Sequence, residues 1–418
     1  MSKITQNQWR NGSCSDLVSL FNGFAFKSKD QQENGIRWLK IANVGIGKIK
    51  WNEESFLPIN YRQEYERYLL KENDIVVAMT RPTLNNKLKI AKINSNDTSL
   101  LNQRVARIDI KNDNVKEFIY QLFRSDYIAR KINEALKGTD PPNLSVTVLD
   151  DIYINIPPLA EQEKIAEILS TWDQAIDSTE KLIANAELQK KALMQQLLTG
   201  KKRLLDENGE RFSGKWEKVK LGDVAQTING LSGKTKADFG SGSPFITYMN
   251  VYSQSGIKQL DRCDYVNIDT NEKQTTLKKG DVFFTTSSET PDEVGLSSVL
   301  LIEPKINTYL NSFCFGIRFK NKNQIVPEFA QYLFRGAMAR KKISILAQGS
   351  TRFNLSKNNF MQLIFQIPNL SEQQKIAEVL STADREIELL TEKLEYLKAE
   401  KKALMQQLLT GKRRVKVA

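Results

Sequence analysis

The chain contains no histidine. That absence removes the usual general base at neutral pH, Ser-His-Asp chemistry and imidazole metal ligands. Cysteine is scarce too: Cys14, Cys263 and Cys314 are odd in number and scattered through 418 residues, as expected of reduced thiols in a cytoplasm. No apolar run reaches transmembrane length, and the opening MSKITQNQWRNG has no signal-peptide core. A phosphate-binding loop is missing: Gly230-Leu231-Ser232-Gly233-Lys234-Thr235 ends like one, but Ile228 stands where its first glycine belongs. Asp140-Pro141-Pro142-Asn143 has three residues of an amino-methyltransferase motif, yet its fourth is not aromatic and no cofactor loop accompanies it. Pro291-Asp292-Glu293 lacks the spaced carboxylate and lysine of a metal nuclease. Catalytic, cofactor-binding and metal-binding residues are therefore expected to be none, and a stand-alone methyltransferase has no support. Negative charge is in deficit: 61 Lys and Arg against 49 Asp and Glu leave +12 and a pI near 9.3, which favours a polyanionic partner.

What the chain does have is a repeat. Residues 156–201 superimpose without a gap on residues 367–412 at an offset of 211, including a shared KKALMQQLLTGK exit. In each copy apolar residues recur at alternating spacings of four and three. The first seam is Ile165, Leu169, Trp172, Ile176, Thr179, Ile183, Ala186, Lys190, Leu193 and Leu197. The second is Ile376, Leu380, Ala383, Ile387, Leu390, Leu394, Leu397, Lys401, Leu404 and Leu408. A 4,3 spacing sustained this long predicts a coiled-coil helix, and Gly200 and Gly411 stand where a helix C-terminal glycine belongs. At 1.5 Å per residue each rod is about 55–60 Å long. A single apolar stripe needs a partner, so the two copies are expected to pack on each other. A lysine in each seam, Lys190 and Lys401, is expected either to fix register or to snorkel from the edge. Glu167, Asp173, Asp177, Glu180, Lys181 and Glu187, with Asp384, Glu388, Glu392, Lys393, Glu395 and Lys398, are expected on exposed faces.

The globular regions repeat as well. Strands are expected within residues 17–26, 37–44, 75–78, 101–110 and 146–156, and one helix over 116–134. LKKGDVFFT at 277–285 follows LKENDIVVAM at 70–79, and LNSFCFGIRF at 310–319 follows LNQRVARIDI at 101–110. GSTRFNLS at 349–356 follows GTDPPNLS at 138–145. The expected division is a first domain over 1–156, a helical spacer over 157–200 and a polar linker over 201–218. A second domain over 219–366, a second spacer over 367–412 and a basic tail over 413–418 complete it. The fold class is α+β: two similar α/β domains, each followed by a long helix, the helices pairing as an antiparallel coiled coil in a pseudo-twofold internal duplication.

Frame residues such as Phe123/Phe334, Arg124/Arg335 and Ser145/Ser356 agree between the copies, whereas 81–93 and 287–301 do not. Two modules on one frame with different surfaces are expected to read two different things. Base edges and phosphates are met by Arg, Lys, Asn, Gln, Ser and Thr. In the first module the candidates are Arg81, Thr83, Asn85, Asn86, Lys87 and Lys89, with Lys137 and Thr139 in the glycine-bearing loop 137–143. In the second they are Ser287, Ser288 and Thr290, with Gln348, Ser350, Thr351 and Arg352 in the matching loop 348–354. The plainer readings are a solvated hairpin and domain-to-rod packing turns.

The EQxKIAExLSxxD entries at Glu161 and Glu372, the KKALMQQLLTGK exits and the openings at 17–26 and 221–230 together resemble the DNA specificity subunit of type I restriction-modification systems. The resemblance runs through essentially the whole chain; the opening at 17–26 departs from the LGDV form that 221–224 fits. It implies two target recognition domains, each reading one half of an asymmetric bipartite DNA sequence, held apart by an antiparallel coiled coil. It implies that this subunit is not itself catalytic. Two modification subunits with S-adenosylmethionine would methylate adenine, and restriction subunits using ATP and Mg2+ would join them, the rod ends serving as docking points. A cytoplasmic location goes with this reading. A non-enzymatic two-module scaffold that binds protein is the alternative.

Overall fold

The computed structural model describes residues 8–138, 140–260, 262–321 and 323–417. The chain divides into two compact units, Met1–Lys181 with Glu392–Ala418, and Leu182–Thr391. The division falls inside both long helices, Leu159–Leu197 and Leu370–Leu408, so each unit contains the start of one and the end of the other.

The first unit is built on a four-stranded antiparallel sheet in the order Val18–Asn22, Val105–Ile110, Ile75–Ala78, Ile90–Lys92. Ile75–Ala78 is buried throughout, as its unbroken apolar run requires. Lys116–Arg124 and Asp126–Ala135 pack on the sheet through Phe118, Phe123, Ile128 and Ile132, and the same core takes in Ile165 and Leu169 from one long helix and Leu408 from the other. The second unit repeats this with Ala225–Asn229, Cys314–Phe319, Val282–Thr285 and Ser297–Leu300, extended by Gly256–Ile257. Its core takes in Leu197, Ile376 and Leu380, with Leu193 partly buried against it.

Every seam residue named from the 4,3 spacing is buried or half-buried. Ile165, Leu169, Leu197, Ile376, Leu380, Leu394 and Leu408 are buried; Trp172, Ile176, Ile183, Leu193, Ile387 and Leu404 are half-buried. Within each unit the two helix segments run antiparallel. In the first unit Glu161, Asp173 and Glu180 pair in turn with Arg414, Lys401 and Lys398; in the second, Lys190 pairs with Asp384 and Arg203 with Glu372. Gly200 and Gly411 close the helices with φ of 68° and 74°, the left-handed conformation in which glycine carries no Cβ penalty.

Four expectations are corrected. The single helix over 116–134 is two helices, because the Ser125 hydroxyl caps the second by accepting from Ile128 N. The strand over 146–156 is a helical turn, Val146–Asp150, capped by Ser145, and only Tyr153–Ile156 is extended, paired with Arg10–Ser13. Apolar alternation there mimics a strand, but the local cap decides. The polar stretch 201–218 is not a free linker: Arg203 and Trp216 both bind Glu372, and Glu217–Lys220 already pairs with Ile364–Ile367. Asp173 and Asp384 are half-buried, not exposed.

Candidate nucleic-acid interface and helix junctions

Asp173 and Asp384 occupy the same place in the two EQxKIAExLSxxD motifs, and each holds the lysine of the other helix. In the first unit Asp173 accepts from Lys401 Nζ at 2.6 Å, Gln121 Nε2 at 2.7 Å and Arg124 Nη1 at 3.1 Å. In the second, Asp384 pairs with Lys190 and accepts from the Tyr332 hydroxyl at 2.7 Å. The seam lysines are thus paired, not snorkelling. Burial raises the Asp173 carboxyl, but the charges of Arg124 and Lys401 outweigh it and hold it below the usual range. Lys401, with 7% of its side chain exposed, is lowered too, but here burial dominates: burial and the charge of Arg124 bring it down to about 8, and Asp173 offsets this only in part.

Burying a charged Lys401 therefore costs stability below about pH 8, and deprotonation relieves the cost. The unfolded state binds more protons from there to the ordinary lysine value of 10.5, so stability rises with pH in that window. Wild type should gain on Lys401→Met between pH 8 and 10 in chemical denaturation. A stability difference that is flat or moves the other way would contradict this account of the pair.

A second reciprocal junction caps the helix entries. Glu161 accepts from Trp9 Nε1 at 3.0 Å and Arg414 Nε at 2.7 Å; Glu372 accepts from Trp216 Nε1 at 3.2 Å and Arg203 Nε at 2.5 Å. Burial raises Glu161, but the hydrogen bonds from Arg414 and Trp9 win and lower it. Gln162 bonds the backbone of Val115 and Pro157, and Gln373 that of Val326 and Pro368. Each tryptophan ring also lies against the closing glycine of the other helix, Trp9 on Gly411 and Trp216 on Gly200. Glu161, Gln162, Glu372 and Gln373 are buried and satisfied within their own unit, so these four residues are not available to dock a partner. Sequence reasoning missed Trp9, Trp216, Arg203 and Arg414; the parallel offset of the two tryptophans was the signal.

The candidate reading residues gather into one patch per unit. In the first, Thr83–Leu84 and Lys87–Leu88 form a hairpin whose tip, Asn85 and Asn86, takes φ of 50° and 58°, the left-handed pair that a two-residue turn needs. Lys89 N bonds Pro82 O at 2.7 Å, and Leu88 is buried, so the hairpin is anchored. Arg81, Asn85, Asn86 and Lys87 are exposed. Thr83 is turned inward and donates to Asn133 at 2.7 Å, and Lys89 is half-buried and lowered by burial and then by Arg81. The loop 137–143 joins the hairpin: Arg81 N bonds Pro142 O and Leu144 N bonds Met79 O, both at 2.8 Å. Lys137 is exposed; Thr139 lies outside the described residues.

In the second unit Ser287–Ser288, Phe353–Leu355 and Ala347–Gln348 form a three-stranded sheet. Thr290, Gln348, Ser350, Thr351 and Arg352 are exposed. Ser287 is 5% exposed and accepts from Arg352 Nε at 3.1 Å, so it positions the arginine. The Ser288 hydroxyl is held by Glu293, which Tyr252 and Ser288 together keep below the usual carboxylate range. Lys234, the lysine of the loop that imitates a phosphate site, is pinned to Glu272 and brings that carboxylate down to about 2.

A shared sequence does not guarantee a shared contact. Arg124 binds Asp173, but its counterpart Arg335 binds the carbonyls of Ser297, Val251, Tyr252 and Gln254; burial and then Arg340 bring it down to about 10.

The model of the type I restriction modification DNA specificity domain matches residues 6–188 and again 213–399. The chain belongs to this family. It is similar to the type I restriction enzyme MjaVIII specificity subunit of Methanocaldococcus jannaschii, 38% identical over 202 residues, 48% of each chain. It therefore spans about half the length of that relative in the match. A putative MjaX specificity subunit of the same organism is 25% identical over 428 aligned residues, 98% of this chain and 94% of the relative. The fold also matches a solved chain from work on assembly and conformational transition of the type I R-M system, at a TM-score of 0.59 and 19% identity, covering 97% and 98% of the two chains. Among the described residues no helix is long and apolar enough to cross a membrane.

Proposed function

We propose that the chain is the DNA-reading subunit of a type I restriction-modification complex, each unit reading one half of a bipartite, asymmetric target. One observation carries this: in both units a strand end and a loop are joined by the same backbone bond, Leu144 N to Met79 O and Leu355 N to Thr286 O, while the exposed side chains around it differ. A common frame with different polar tips is what two half-sites of different sequence require. The subunit reads and leaves the chemistry to its partners, modification subunits carrying S-adenosylmethionine and restriction subunits using ATP and Mg2+.

Two copies of one modification subunit fit the pattern of exposed residues. Glu167, Thr171, Gln406 and Gln407 are exposed in the first unit, and Glu378, Thr382, Gln195 and Gln196 in the second. The four residues are identical at matching repeat positions. Exposed positions nearer the middle of the helices differ, as Asn185 does from Tyr396 and Glu187 from Lys398. Nothing within the fold demands identity at a solvated glutamine; a repeated partner does.

The test is a binding titration of duplexes over a salt series. Sequence preference with a steep negative salt slope is expected, and binding of protein alone would leave the scaffold reading. Arg352→Ala should weaken binding about 5- to 100-fold, with the loss concentrated on one half-site. Unchanged affinity removes Arg352 from the interface.

A further inference from the structure

Beside each patch lies a tight turn, 102–105 in the first unit and 311–314 in the second, and the two match hydrogen bond for hydrogen bond. Asn102 accepts from Arg104 N through Oδ1 at 3.1 Å and from Val105 N through its carbonyl at 2.9 Å. Asn311 accepts from Phe313 N through Oδ1 at 2.8 Å and from Cys314 N through its carbonyl at 3.0 Å. The Arg104 carbonyl takes Met79 N at 2.9 Å, and the Phe313 carbonyl takes Thr286 N at 3.0 Å. Met79 and Thr286 are the residues whose own carbonyls hold the loops, through Leu144 N and Leu355 N. Turn, strand end and loop are therefore one hydrogen-bonded block in each unit.

The exposed side chains at the tip of the turn differ: Gln103 and Arg104 against Ser312 and Phe313. Phe313 is 58% exposed on a rigid turn, one residue along the hydrogen-bonded frame from Ser287, which holds Arg352. More than half of the Phe313 surface therefore faces water. Resting on the DNA-reading assignment above, we infer that positions 104 and 313 are paired specificity positions. Arg104 donates to a guanine edge in one half-site, and Phe313 packs on the 5-methyl group of a thymine in the other. The chemistry sets the assignment: a guanidinium matches guanine O6 and N7, whereas a phenyl ring has no donor and thymine's methyl is the apolar feature of the major groove.

The experiment titrates the assembled complex with modification subunits against its target, with each thymine in turn replaced by deoxyuridine and each guanine by 7-deazaguanine. One deoxyuridine should weaken wild type about fourfold, the contribution of one buried methyl group. That loss should vanish in Phe313→Ala and persist in Phe313→Leu. One 7-deazaguanine in the other half-site should weaken wild type about fivefold or more and have no effect on Arg104→Ala. The inference is overturned if no such positions exist, if the losses survive in the variants, or if both fall in one half-site. Failure of the wild-type complex to prefer any duplex would instead overturn the DNA-reading assignment itself.

Discussion

Replacing Asp173 with alanine is expected to destabilise the first unit by about 3–5 kcal/mol, the cost of leaving buried cations without their carboxylate. Asp173 is the common acceptor of Lys401, Arg124 and Gln121, so its loss strands two charges and an amide donor in one step. Lys401 has almost no access to water, and Arg124, about one-quarter exposed, adds a second charge that packs against Tyr120 and Gly47. Asp384→Ala should cost less, about 1–3 kcal/mol. Its partners are the neutral Tyr332 hydroxyl and a Lys190 side chain that remains one-quarter exposed. Chemical denaturation followed by hydrogen exchange in 116–135 and 159–181 separates the two units. Equal losses, or a loss under about 1 kcal/mol for Asp173→Ala, would show that the hub is not what fastens helix to domain.

Adding one heptad to the middle of both long helices is expected to abolish recognition of the natural target and create recognition of one with a longer spacer. Seven residues lengthen a helix by about 10 Å, close to three base pairs at 3.4 Å each. Seven also preserves the seam period, so the pairing of apolar positions survives. Both half-site sequences should stay the same, because the reading patches lie far in sequence from the insertion. An unchanged spacer preference would contradict the expectation that a coiled coil holds the two target recognition domains apart.

Much of the fold was legible because a 3.5-residue period reports burial directly. The seam positions from Ile165 to Leu408 followed from spacing alone, and all are buried or half-buried. The same period misplaced Asp173 and Asp384. It says which side of a helix faces its partner helix, but not that the flank faces a domain folded from residues many positions away. The entry motif shows the same limit: Glu161 and Gln162 look like a polar cap, yet their partners Trp9, Arg414 and Val115 come from three distant parts of the chain. Ser125 and Ser145 were hidden by apolar patterning, since one side-chain cap outweighs the alternation around it. For the candidate interface, divergence between the repeats singled out the loops, but not that Leu144 and Leu355 tie them to Met79 and Thr286. Nor did it show that Ser287 is buried beneath Arg352. Arg104 and Phe313 stayed out of view because the sequence there reads as uninterrupted strand, and a two-residue tip does not disturb the alternation.

The central claim is that two units built on one frame read two different half-sites. Mapping modified adenines at single-molecule resolution, in DNA exposed to the complex reconstituted with its modification subunits, tests it most directly. The account predicts one asymmetric motif made of two short specific segments separated by a fixed run of unspecified bases. Arg104→Ala should degrade one segment and Arg352→Ala the other. A single contiguous motif, or a variant in one unit that degrades both segments equally, would contradict it.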